Sequence, residues 1–581
     1  MKYSSPINWK TNFKYDGMLY FAQRIEEMYY HYAIDIYKAP VLNTHLLAKE
    51  YISTLINIEN GVMNSSYLQY IMEEFKNSLQ NDIILKKYWG IENILQFTQA
   101  LNSSNLDKQG KLIHYLYDML SHYKYYNWCV SYLKDIIPEQ NEKKKIEQVM
   151  RCLFPDLIAY GYAPEFVYNF NRKTFFADTP IESTDGLLLF FKRFDFKPHN
   201  FKIYLGISKE IVKFKSIMTN HLNVTFNDDG NFKFLKIHSN YIKIFLGEIK
   251  ALDRYSAMKV AYNRINLFLR FYKVLGNIND INIQTIGMAI EDNDTTPYYL
   301  PAIPLGYDTI EEFDKERIGN VAEITISELL LNAENSIRTL IKAVDLHNDA
   351  ISERNLRDGF LNLWSSLEVL CQTKKTDSKI DSIIKTLVPI LEKDYFRGVF
   401  DDIQNDLSKV LSKQDFDHVI NSIEYGTDNA EKIANLILLD SYKALRNDIY
   451  SKLSYYPVLR SRIFNLSAEC TTPKKMYKLC EHYGKRVSWH IRRMYRTRNA
   501  IVHAGETPQN LKMLGEHLHS YVDSLIIEFI YELSSIKFLN SIDNVLIDTE
   551  FSINRFYKIF DDYSNIDNNF VDKLLNSSIQ R

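Results

Sequence analysis

Through the first 180 residues, apolar side chains return every three or four positions. Phe21, Ile25, Met28 and Tyr29 share one face of a predicted helix, as do Leu46, Leu47, Tyr51 and Leu55. The polar run EQNEKKKIEQ, with Lys143, Lys144 and Lys145, separates two such segments. Gly161 then interrupts the pattern. Pro164 follows at a position suited to a first helical turn, where its missing N–H costs least. This predicts a helix, a tight turn and a second helix running to Phe176.

From about residue 185 to 305 the period changes. Phe201–Gly206, Leu222–Phe226, Phe232–Ile237 and Tyr241–Ala251 are short and rich in β-branched and aromatic residues. Asn227-Asp228-Asp229-Gly230 has hairpin-turn chemistry. Asp253 is placed to cap a helix that Gly276 ends, and Ile281–Ile290 reads as a further strand. This segment predicts a small α/β domain with a mostly antiparallel sheet. PYYLPAIPLG, residues 297–306, has three prolines and reads as a linker.

Helical spacing resumes at about 318. Ile324 to Asn348 and Phe360 to Cys371 read as two helices, Lys379–Glu392 and Tyr395–Leu411 as two shorter ones. Leu439–Leu453 reads as an insertion. Lys474 to about Val502 forms a basic helix with a possible interruption at Gly484, and Leu511 to about Leu539 closes a bundle. The chain is therefore expected to be mainly α, with helical regions at 1–180 and 318–581 around an α/β domain at 185–305.

At 581 residues the chain exceeds one ordinary core. A charged fraction of 24% argues against wholesale disorder, and a net charge of -2 confines any polyanion site to a local patch. Tyr is abundant at 41 copies, which reads first as compositional bias and core mass. Cys129, Cys152, Cys371, Cys470 and Cys480 are odd in number and form no C-x-x-C, so neither a disulfide framework nor a thiolate zinc site is expected. No apolar run approaches a membrane span, and MKYSSPINWK lacks a signal-peptide core, which reads as a cytosolic protein.

Charge changes the picture at one place. Between Lys474 and His503 nine Lys and Arg side chains stand against one acid, Glu481. Lys485, Arg486, Arg492, Arg493 and Arg496 would offer phosphate contacts there. The stretch ends in Arg498-Asn499-Ala500-Ile501-Val502-His503-Ala504-Gly505. RNA cleavage without a metal needs a proton removed from the 2′-OH, one supplied to the 5′-oxygen, and a stabilised phosphorane. His503 can exchange protons near neutrality, Arg498 can clamp two phosphate oxygens, and Asn499 can orient either partner. Five α-helical positions rotate by roughly 140° modulo full turns, so Arg498 and His503 would not share a face and a second chain could complete the site. A simpler reading is that His503 caps a helix C-terminus. The looser match Arg24…His31 has two glutamates inside it. Glycine-rich phosphate loops, HExxH and G-x-S-x-G are not found, and His517 and His519, two apart on a helix, make a poor metal pair.

RNAIVHAG resembles the Arg-Asn-x3-His form of the HEPN (higher eukaryotes and prokaryotes nucleotide-binding) superfamily. Upstream, DLHNDAISERNLRDGFLNLWSSLEVLC is similar to the first helices of the Apea-like HEPN subgroup, with Leu367-Glu368 matching its Leu-Glu. The resemblance covers about residues 318–540. It implies a homodimeric, metal-independent endoribonuclease that needs no cofactor, leaves a cyclic phosphate and acts through Arg498, Asn499 and His503. Glu368 would support the site or pair with an Arg. It also implies an antiphage defence role, while the choice among tRNA, rRNA and mRNA as target, and a phage-derived trigger, are left open by the resemblance. A non-catalytic HEPN module and the toxin of a toxin–antitoxin pair are the alternatives.

Overall fold

The computed structural model describes residues 15–30, 42–303, 306–307, 335–371, 378–535 and 542–577, with 3, 4, 6 and 9; short gaps fall at 104, 140, 178–182, 184, 227–229, 277–280, 293, 295 and 509. It is mainly helical, with one five-stranded antiparallel sheet in the middle. Among the described residues, no helix is long and apolar enough to cross a membrane. The Ile324 end of its expected helix, the turn residues 227–229 and His31 lie outside the described residues.

The expected helix–turn–helix is present as Lys143–Tyr160 and Pro164–Phe175. Gly161 turns the chain at φ +122, in the left-handed region that favours glycine. The sheet runs β2 (Val224–Thr225), β3 (Tyr241–Ala251), β1 (His199–Ser208), β4 (Ile286–Glu291), β5 (Tyr298–Pro301). Asp253 caps the helix Arg254–Gly276 by accepting from the Tyr255 and Ser256 amides at 2.8 and 2.9 Å. That helix covers one face of the sheet through Ala257, Met258, Ala261 and Ile265.

Two readings of this region are corrected. Phe232–Phe234 is a short 3-10 turn, which lays Phe232 and Leu235 on the opposite face against Tyr204 and Met288. Within the proline-rich stretch expected as a linker, Tyr298–Pro301 is edge strand β5, pairing with β4. Pro301 ends that strand, and an edge tolerates its missing donor. The helix Asp185–Lys192, which precedes the sheet, belongs to the helical core through Leu187, Phe190 and Phe191.

The two helical regions share a single hydrophobic core, reaching from Tyr3 to Leu575. A buried ion network stitches them together. Arg24 binds Glu147 at 2.7 and 2.9 Å and Glu27 at 2.9 Å. Arg462, from the C-terminal region, pairs with Glu27 and with Asp406 at 3.2 Å. The Tyr3 hydroxyl donates to Glu27 at 3.0 Å. The two helices expected at Lys379–Glu392 and Tyr395–Leu411 are one helix, Lys379–Val410. The charged residue at its middle, Lys393, is buried in a 2.7 Å ion pair with Glu528 and so marks no break.

The basic helix is likewise continuous, Pro473–Asn499. Gly484 is a point of close approach, since a Cβ there would collide with the Glu392 carboxylate. Burial pushes the Glu392 carboxyl up to about 7; a hydrogen bond from Tyr557 opposes this and the Glu481 charge adds to it. The folded protein therefore holds this proton where the unfolded chain has released it. The group favours folding below an unfolded-state pKa of 4.5, and that contribution is lost as pH rises to about 7. Thermal midpoints measured from about pH 5 to 8 should fall less steeply in Glu392→Gln than in the parent. Parallel profiles would remove this group from the balance.

Candidate functional site

The motif stands at a change of helical pitch. The helix Pro473–Asn499 passes into a π-helical turn, Ala500–Ala504. Gly505 ends it at φ +68, with its amide donating to the Ala500 carbonyl. A π turn closes i→i+5 hydrogen bonds and is wider than an α turn, so the angle of a regular α-helix between Arg498 and His503 does not apply. Such turns occur frequently at functional sites.

Arg498 is half-buried and donates through Nη1 to Asn499 Oδ1 at 3.2 Å. Asn499 is buried and His503 is exposed. The amide thus holds the guanidinium while the imidazole stands in solvent. Arg357, which the sequence did not single out, reaches the Ile501 carbonyl from the helix Leu356–Leu370, with Nη2 at 3.5 Å. Glu368 lies on that same helix, half-buried, accepting from Trp364 Nε1 at 2.8 Å. The Trp364 ring faces Tyr495 of the motif helix at 5.5 Å. Glu368 is therefore tied, through Trp364, to the aromatic packing behind the motif helix.

The basic helix departs most from expectation. Arg493 is buried, with Nε 3.2 Å from both Glu50 oxygens and Nη2 2.6 Å from Glu74. Arg496 is buried too, its Nη2 2.9 Å from Glu50. Glu50 lies on the helix Thr44–Glu59 and Glu74 on Tyr67–Asn81, both in the N-terminal region. Arg493 and Arg496 thus face inward as structural cations and are corrected as phosphate contacts. Their excess charge is matched by acids that lie more than 400 residues earlier, where no local count finds them.

The other candidates are more open. Arg492 is half-buried, paired with Asp381 at 2.9 Å and lying over the Tyr70 ring at 3.5 Å. Lys485 is exposed and pairs with Glu73 at 2.8 Å, an arrangement that contributes little to stability and exchanges readily. Arg486 lines a cavity of about 470 Å³ with Glu74, Arg151, His482 and Trp489. Burial, then the charges of Arg486 and Lys485, hold His482 below its ordinary pKa.

Beside the motif lies a second cavity of about 500 Å³, lined by Glu50, Ser53, Asn57, Arg496, Thr497 and Ala500 among others. Its walls join the N-terminal helix to the motif helix. Arg496 Nε and Nη1 are buried without a hydrogen-bond partner among the described residues. No family model, curated protein or solved structure matches the chain.

Burial alone would raise the Glu50 carboxyl pKa, but Arg493 and then Arg496 bring it below the ordinary value. Glu50→Gln would take from buried Arg496 its carboxylate at 2.9 Å and leave buried Arg493 with Glu74 alone. The expected loss is about 3–5 kcal/mol, read as a lower denaturant midpoint. A midpoint equal to the parent's would mean that these ion pairs do not hold the N-terminal helix on the motif helix.

Proposed function

We propose that the chain is a metal-independent endoribonuclease with a C-terminal HEPN-type bundle, working as a homodimer in antiphage defence. The observation that carries this reading is the placement of Arg498, Asn499 and His503 around a π turn that Gly505 stops, with His503 open to solvent.

In this reading Asn499 holds Arg498, whose remaining donors bind the scissile phosphate and its developing charge. His503 takes the 2′-OH proton as the oxygen attacks phosphorus, or gives a proton to the departing 5′-oxygen. One neutral imidazole and one imidazolium are needed for both transfers, and a second protomer supplies the other. The products are a 2′,3′-cyclic phosphate and a 5′-hydroxyl. Lys485 and Arg492 can trade their carboxylate partners for backbone phosphates of tRNA, rRNA or mRNA. A phage-derived signal would release the activity.

A second reading is a non-catalytic module that binds RNA, nucleotide or a partner. It gains from the pairing of Arg493 and Arg496 with Glu50 and Glu74, which leaves fewer cations for RNA than the sequence count implies. Induction in growing cells, with and without phage, separates the two. The parent should arrest growth, while His503→Ala and Arg498→Ala should restore it at equal protein levels. Equal arrest by all three proteins would remove the catalytic reading.

A further inference from the structure

His519 looked a poor metal ligand because its near neighbour His517 points elsewhere on the helix. Its partners lie farther off. His347 projects from the helix Asn335–Ser352, and His519 and Asp523 lie one turn apart on Leu511–Ser535; these two helices pack together. The imidazole rings of His347 and His519 are 4.7 Å apart. Asp523 lies between them, with Oδ1 2.7 Å from His347 Nε2 and Oδ2 3.5 Å from His519 Nε2. One ligand atom from each of the three residues lies within 4.8 Å of the others.

The chemistry of the set is specific. Two imidazoles and a carboxylate, with no thiolate, suit zinc and its divalent neighbours. Bonds of about 2.0–2.1 Å at tetrahedral angles place ligand atoms about 3.3–3.5 Å apart. His519 Nε2 is 3.5 Å from Asp523 Oδ2, His347 Nε2 is 2.7 Å from Asp523 Oδ1, and all three ligand atoms lie within 4.8 Å, so adjustments of up to about 1.5 Å bring the set to those distances. The site is also shielded, since His519 is only 2% exposed. His347 Nε2 is buried and faces the Asp523 carboxylate at 2.7 Å, a contact that a metal ion between the two would replace.

We infer that His347, His519 and Asp523 bind one divalent transition-metal ion of the zinc class, which clasps the two helices and leaves a fourth position for water. The site is separate in composition from Arg498, Asn499 and His503, and the inference stands whether or not the chain cleaves RNA.

The test uses full-length protein stripped with chelator and then titrated with Co2+ or Zn2+. The parent should show a saturable visible cobalt band at about one equivalent, with a higher thermal midpoint in Zn2+. Asp523→Asn and His519→Ala should weaken cobalt binding at least tenfold while circular dichroism stays helical. Should either variant fail to fold, the spectrum of the parent still decides. A parent with no saturable band and no Zn2+ shift, or binding unchanged in both folded variants, would overturn the inference and leave a metal-free His–Asp–His cluster.

Discussion

Glu50 stands between two buried guanidiniums, and the relation of the motif to the rest of the chain depends on it. Its carboxylate takes Arg493 and Arg496 together, while Glu74 takes the far side of Arg493. Charges a few ångströms apart out of water attract strongly, yet each has lost its hydration, so the arrangement is stable only when complete. The long cationic helix can lie inside the molecule only because the N-terminal helices deliver these acids. What the local sequence presents as a phosphate-binding face is, over one stretch, the joint between the first and last parts of the chain.

That joint bears on function. The cavity beside the motif is walled by the Glu50 helix on one side and by Thr497 and Ala500 on the other. The N-terminal helices thus come within one turn of Arg498. The Arg24–Glu27–Arg462–Asp406 network makes a second joint between the same two regions. The N-terminal region is thus fastened to the motif helix at two separate places.

Local signals were the legible ones. Gly161 and Pro164 marked a turn, Asp253 a cap, and Gly505 the end of the motif helix, because each acts within a few residues. Errors came where a distant partner decides the outcome. Pro301 reads as a linker until β4 supplies an edge. Gly484 reads as a helix break until Glu392 is placed against it. Arg493 and Arg496 read as phosphate ligands until Glu50 is found. Arg498, Asn499 and His503 stand out in the sequence as candidates, but the π turn that carries them does not, since its i→i+5 closure leaves no composition signature.

The claim that matters most is that His503 takes part in breaking RNA, and end chemistry tests it most directly. Cells expressing the parent or His503→Ala are challenged with phage, and RNA ends carrying 2′,3′-cyclic phosphate are mapped by ligation and sequencing. The account predicts a set of recurrent cyclic-phosphate ends in the parent that is absent from His503→Ala. The same ends at the same abundance in both would contradict it.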